Sequence, residues 1–448
     1  MPHTPNARLR LLLDEADWSG ARFASAVRAV AAEHGHSSAC DASAASRWLS
    51  GAQPRPPAAT FILEALSRKL GRPVTAVEAG LSRAPAPTLE LSWEADPLQK
   101  LSALTDTDLD PTRRRLLSSG LYRLTALTVP DAFVPRRRAL ADRPSSASGI
   151  AVSPAGAEHA EQMQTMATAF AQVAAVHGGG HVRTALTAYL RHDVAGYLYA
   201  PAPDSLHRSL LTGTAQLTLL LGGMCADDGA DSLAQHYHRT AIQLAAESHD
   251  PATYAIALRT LSTHAHSLGH HAPAVFSLAE RAAAAARHAP SIVRAYTQAH
   301  LSVMQAHHDR HAALAALTVA ERHHDQATAA PGPFTAYSLG ALHYQRAQTL
   351  ATLGDRAAAV SALASSLRVR TPEERHAEAL TRASLAETLL SQGQLEAALK
   401  HWDLFLDTCA GLHSARAVRR LHTLRRLLHP HRRHRATAAL LARAAALR

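Results

Sequence analysis

The chain has 448 residues, 47% of them hydrophobic but only 4% aromatic, and a formal net charge of +10. That length suits two or three domains, and the dominance of Ala and Leu favours helix through most of it, so an all-α protein is expected. The charge belongs to the tail: from Gly411 to Arg448 there are ten Arg and no Asp or Glu, so residues 1–410 are formally neutral and the pI near 10.0 is no argument for a nucleic-acid partner.

Cys40, Cys225 and Cys409 are far apart and odd in number. Neither a disulfide framework nor a cysteine zinc site is suggested, and a cytoplasmic setting is expected. The first twenty residues hold no apolar run of signal length, and no stretch approaches 18 uncharged apolar residues, so no membrane segment is expected.

Residues 1–84 read as a small helical domain. A first helix runs over about Asn6 to Ala16, with Leu9, Leu12 and Leu13 on one face. Ser19 caps a second, whose stripe is Phe23, Ala24, Val27, Val30 and Ala31; Asp41 caps a third, "ASAASRWLSG", which stops at Gly51. A fourth covers about Pro57 to Leu70, ended by Gly71 and Pro73, and "TAVEAGL" reads as a short fifth.

Residues 85–157 read as a linker. It opens with the Pro-rich "RAPAPTLELSWEADP" (83–97), holds one or two helices including about Pro111 to Thr128, and ends in a loose Pro/Ser/Arg stretch at 135–157. The segment Thr112 to Phe133 pairs arginines with a semi-apolar run, as a twin-arginine signal does. It lies more than a hundred residues in and is interrupted by Arg123, so an amphipathic helix is the better reading.

From residue 158 to 448 helical periodicity is nearly unbroken, with a repeat. Taking Gly229, Gly269, His308, Gly354 and Gly393 as equivalent turn positions, the spacings are 40, 39, 46 and 39. Five residues after each comes Ala (Ala234, Ala274, Ala313, Ala359, Ala398), and nine after come His238, Leu278, Leu317, Leu363 and Trp402. A small residue followed four later by a large one lets a helix approach its hairpin partner and still fill the groove beside it. This pattern resembles the tetratricopeptide repeat, with a longer period, and implies an α-solenoid over about 205–448 with a capping pair near 412–447. In the tail, Val418, Leu421, Leu424 and Leu428 make one apolar stripe under a basic outer face.

In the N-terminal domain, "ASRWLSGAQPRP" resembles the I-S-x-W-x-x-G-x-x-x-P signature of xenobiotic-response-element (λ-repressor-like) helix-turn-helix regulators, and "EALSRKLGRPVTAVEAGL" their closing segment. The thirteen residues of "AVAAEHGHSSACD" are longer than the family's turn between helices two and three. Carried over by position, the resemblance implies a five-helix domain that reads an operator with its third helix. Ala42, Ser43, Ser46 and Arg47 would face bases and Ser19, Arg22, Ser50 and Arg55 the phosphates of double-stranded DNA, while Ala45 and Trp48 are buried. The segment 170–194, "FAQVAAVHGGGHVRTALTAYLRHDV", resembles regulators of high-GC bacteria that join such a domain to tetratricopeptide-like helices. That implies a homodimer and a peptide, protein or small effector for the repeats.

Catalytic and cofactor motifs are absent. "HGGGH" lacks the GK[ST] of a phosphate loop and reads as a turn between helices; GxSxG, GxGxxG and HExxH do not occur. His307 and His311 have i, i+4 spacing but no neighbouring carboxylate as a third ligand, so no metal, no cofactor and no enzyme activity are expected. The alternative is an interaction scaffold whose N-terminal domain does not bind DNA, since residues 1–84 carry ten basic and seven acidic groups.

Overall fold

Asn6, Ser19 and Asp41 start the first three helices. Their side-chain oxygens accept from the backbone N–H of Leu9 (3.0 Å), Arg22 (3.3 Å) and Ala44 (2.7 Å) respectively, contacts worth about 1 kcal/mol each in helix stability. The computed structural model describes residues 5–33, 36, 40–55, 57–72, 74–81, 93, 95–118, 120–130, 155–328 and 337–447, and every regular element among them is helical. The N-terminal domain consists of α1 (Ala7–Glu15), α2 (Gly20–Glu33), α3 (Ala42–Leu49) and α4 (Ala58–Leu70) around a core that includes Leu9, Phe23, Val27, Trp48, Ile62 and Leu66. The loop between α2 and α3 lies mostly outside the described residues.

The expected fifth helix is a single helical turn. Ala79 N–H bonds to Thr75 O at 3.0 Å, and Gly80, with φ 63°, closes the turn. Asn6 explains why it stops there: its Nδ2 donates to the carbonyls of Ala79 (2.9 Å) and Gly80 (3.2 Å) that a longer helix would have used internally.

The helix expected over Pro111 to Thr128 is also broken. After α5 (Pro97–Leu109), α6 (Pro111–Ser118) ends, and only a 3₁₀ turn forms at Leu124–Leu127. Gly120 lies so close to Ser232 that a Cβ there would stand 2.8 Å from its Oγ. The next residues are drawn into two different cores: Leu121 into that of α1 to α4, Tyr122 and Leu127 into that of the C-terminal helices. Gln235 grips the backbone of Arg123 from both sides, accepting from its N–H (2.9 Å) and donating to its carbonyl (2.7 Å), and Leu124 N–H bonds to Glu64 at 3.1 Å. The Pro/Ser/Arg stretch, apart from residues 155–157, and most of the Pro-rich segment lie outside the described residues.

The C-terminal region starts with α7 (Ala157–His177), then α8 (Arg183–Tyr189), a π-turn at Leu190–Val194 and α9 (Ala195–Tyr199). Six hairpins follow. They are α10 (Asp204–Asp227) with α11 (Asp231–Glu247), α12 (Pro251–Ser267) with α13 (Pro273–Ala285), and α14 (Ser291–Gln305) with α15 (Arg310–Asp325). Then come α16 (Leu339–Thr352) with α17 (Arg356–Val369), α18 (Arg375–Ser391) with α19 (Leu395–Cys409), and α20 (Ala415–Leu428) with α21 (Arg435–Ala446).

The small-then-large pattern is the hairpin packing code. Ala234, Ala313, Ala359 and Ala398 are buried against the partner helix, Ala274 is partly so, and all five large residues that follow are buried. The turn glycines 229, 269, 354 and 393 have φ between 77° and 86°, while the His308 turn manages without one. The 46-residue spacing reflects the connection between α15 and α16, part of which lies outside the described residues. α10 is long and apolar enough to cross a membrane on length and composition, and 67% of that window is buried inside the protein, as for a core helix. In the tail Ala417 takes the place expected of Val418, which is exposed; Leu421, Leu424 and Leu428 are buried as expected.

The row of hairpins closes on itself. α7 packs on both α10 and α18, bridging the first and fifth hairpins, and the "HGGGH" turn runs directly against the segment before α20. His413 N–H bonds to His177 O (2.7 Å) and Gly180 N–H to His413 O (3.1 Å). A Cβ on Gly178 would stand 2.6 Å from His413 O and one on Gly179 2.7 Å from Met224 Cα, so only glycine permits this approach.

Candidate nucleic-acid interface and interior cavity

α3 has two faces. Ala44, Ala45 and Trp48 are buried, with the Trp48 ring edge-on to Phe23 at 6.2 Å. Ala42, Ser43, Ser46 and Arg47 are exposed, and so are Ser19, Arg22, Ser50 and Arg55. Two of the serines have structural duties: Ser19 caps α2, and Ser50 Oγ donates to Ser46 O at 2.9 Å.

The polar groups on the outer face of α3 form a chain. Ser43 Oγ donates to Asp41 Oδ1 at 2.8 Å, and Arg47 Nη1 donates to Ser43 Oγ at 3.3 Å. The bonds from Ala44 N–H and Ser43, with the more distant charge of Arg47, lower the Asp41 pKa despite a small opposing desolvation. Asp41 is therefore a carboxylate at neutral pH beside the first turn of α3, where it satisfies the helix N-terminus and holds Ser43 and Arg47 in place.

A second site lies within the closed row of hairpins. A cavity of about 350 Å³ is lined by Ala171 and Ala174 of α7, by Leu219, Gly223 and Met224 of α10, and by Ile256, Ile292 and Tyr296 of the next two hairpins. Its walls are mostly apolar, and polar groups gather at two places. One is Asp227, His376 and Arg416; the other is Tyr296 and Tyr337. Tyr337 meets Tyr296 edge-on at 5.1 Å, and the guanidinium of Arg259 lies 3.8 Å over the Tyr296 ring. The Tyr337 hydroxyl is buried without a hydrogen-bond partner among the described residues, and burial pushes its pKa up.

Asp227 is almost wholly buried and serves four groups. Oδ1 accepts from Ser414 Oγ (2.6 Å) and Arg416 Nε (3.0 Å) and lies 3.2 Å from His376 Nε2, while Oδ2 accepts from Gly179 N–H (2.7 Å). Burial opposes its charge, but the hydrogen bond from His376, the charge of Arg416 and the Ser414 hydroxyl outweigh it and hold the carboxyl well below the usual range. In sequence, "DDGAD" carried only a turn signal, and nothing local marked Asp227 as the closing residue.

Much of the basic tail is used internally. Arg416 reaches Asp227, Arg420 reaches Glu387 (2.6 Å), Arg425 donates to Leu447 O (2.8 Å), and Arg443 bridges Asp403 and Asp407.

The family model described as the SP15 N-terminal domain matches residues 9–82, the span of α1 to α4 and the turn that follows. Among curated proteins, none matches the chain.

Proposed function

We propose that the chain is a DNA-binding transcriptional regulator with an N-terminal domain of the λ-repressor-like, xenobiotic-response-element type. The observation that carries the reading is the division of α3, with Ala44, Ala45 and Trp48 fixing it in a core while Ser43, Ser46 and Arg47 stand outward. An outward first turn and outer face are what a recognition helix presents to the major groove. Arg47 is the base-reading residue, able to make a bidentate contact with guanine, and Ser19, Arg22, Ser50 and Arg55 hold the phosphates. The description of the matched domain names no activity, so the DNA reading rests on the residues and the resemblance.

In this reading the tetratricopeptide-like hairpins are a cytoplasmic sensor and dimerisation module, with two copies presenting two recognition helices. A cavity of about 350 Å³ with apolar walls and a few polar groups falls in the range of small-molecule sites. It favours a small apolar effector over a peptide.

One observation favours a second reading, an interaction scaffold: Asp41 places a negative charge where a phosphate would come and draws Ser43 and Arg47 toward itself. Binding of the full-length protein and of Arg47→Ala to genomic fragments over a salt series separates the two. The regulator reading expects log K to fall with log salt and a site-selective loss in the variant. Absence of DNA binding at low salt favours the scaffold.

A further inference from the structure

Three imidazoles from the tips of two hairpins meet at one edge of the hairpin row. His266 stands in the last turn of α12, His271 in the connection to α13, and His307 in the connection between α14 and α15. A ring nitrogen of each lies within 4.8 Å of the other two. The ring centroids are 5.2 Å apart for His266 and His271, 5.3 Å for His266 and His307, and 4.6 Å for His271 and His307. His307 thus turns toward the neighbouring hairpin rather than pairing with His311, and the local spacing that argued against a metal is not the spacing that matters.

Two further observations distinguish this cluster from a chance gathering of surface histidines. Nδ1 of His266 is buried and has no hydrogen-bond partner among the described residues, an unfavourable state for a polar group. His271 and His307 are exposed, so the cluster opens to solvent on one side and an ion has an entry path.

We propose that His266, His271 and His307 bind a divalent transition-metal ion of the zinc class, with water completing the coordination. Three imidazoles and one open position are a recurrent tetrahedral donor set for such ions. Metal–nitrogen bonds of about 2.0–2.1 Å call for ligand nitrogens about 3.4 Å apart. His271 and His307 sit in interhelical connections, where side-chain rotation closes that difference. The bound ion ties the second hairpin to the third at their tips and fixes the angle between them.

The test uses the full-length protein without a polyhistidine tag and cobalt(II) as the probe. Tetrahedral cobalt absorbs visible light strongly, and zinc(II) displaces it. The expected result is one equivalent of cobalt bound, with affinity falling at least about tenfold in His271→Ala and in His307→Ala, since even supporting groups of a metal site are worth that much. His308→Ala and His311→Ala bind as the native chain does. Zinc raises the melting temperature of the native protein and not that of the His271→Ala/His307→Ala double variant. Because both substituted residues are exposed, folding is preserved and circular dichroism verifies it. Unchanged binding in the double variant overturns the proposal, as does a native chain that takes up neither ion. No DNA enters the measurement, so its outcome is separate from that of the regulator reading.

Discussion

Ser414 donates a hydrogen bond of 2.6 Å to Asp227 across 187 residues of chain. This contact, with those of His376, Arg416 and Gly179 to the same carboxylate, joins the end of the first hairpin to the fifth and sixth. A row of stacked hairpins ordinarily contacts only its neighbours; here its ends are bonded and α7 lies between them.

The pH dependence of that closure follows from its charge. The Asp227 pKa is lowered in the folded state, so its contribution is complete above about pH 4, the unfolded value, and is lost as pH falls through the folded value. Asp227→Asn removes the charge at every pH and is expected to lower the melting temperature at pH 7, with the gap to the native protein closing as the solution is acidified. Thermal melts from neutral pH to about pH 3 measure the onset of this narrowing, which starts below about pH 4, and a gap that stays constant from about pH 4 to about pH 3 would count against it.

Neighbouring glycines in α10 are expected to respond in opposite directions. A Cβ on Gly222 would stand 2.4 Å from the buried His238 ring, so Gly222→Ala should destabilise by about 1–3 kcal/mol. Gly223 lines the cavity with no atom within 4 Å of its absent Cβ, so Gly223→Ala should stabilise by about 0.5–1 kcal/mol through helix propensity. Urea denaturation of both variants decides the point, and equal shifts would refute it.

α5 carries two ion pairs of contrasting depth. Arg183 is buried and bonds to Asp108, which also accepts from Thr187 and Tyr237, both at 3.1 Å. Asp108→Ala leaves the buried guanidinium only the half-exposed Asp228 (3.2 Å) and removes the acceptor of Thr187 and Tyr237, and should cost about 3–5 kcal/mol. Asp106 pairs with Arg191 at the surface, and Asp106→Ala should cost less than about 1 kcal/mol. Denaturation midpoints of the two variants test the ranking.

At α3, removing charge and removing the cap are separable. If the regulator reading holds, Asp41→Asn keeps a capping side chain, lifts the repulsion toward phosphate and frees Arg47, so DNA affinity should rise several-fold. Arg47→Ala should lose about 1–3 kcal/mol at the selected site and little at others. Electrophoretic shifts with matched and mismatched fragments report both, and weaker binding by Asp41→Asn would speak against the role given to Asp41.

Local chemistry was legible in the sequence wherever it decides local structure. The caps at Ser19 and Asp41, the stop at Gly71 and the small-then-large pairs of the hairpins follow from helix geometry and were readable one segment at a time. Features fixed by distant partners were not. The helix expected to run on to Thr128 breaks because Leu121 and Tyr122 are claimed by different cores, and the turn at Thr75 stops because Asn6 takes its carbonyls. His266, His271 and His307 share no motif because their neighbourhood is made by the stacking of hairpins. The cavity and the Asp227 closure arise only once the row has curved through all six.

Leu121 and Tyr122 are joined by one peptide unit, whose ends cannot separate beyond about 3.8 Å. One side chain is embedded among α1 to α4 and the next among the hairpins, with Gln235 of α11 clamping the residue after them. The joint therefore has no slack. Any tilt of α11 must carry the N-terminal domain with it, as a lever carries whatever is riveted to its short arm.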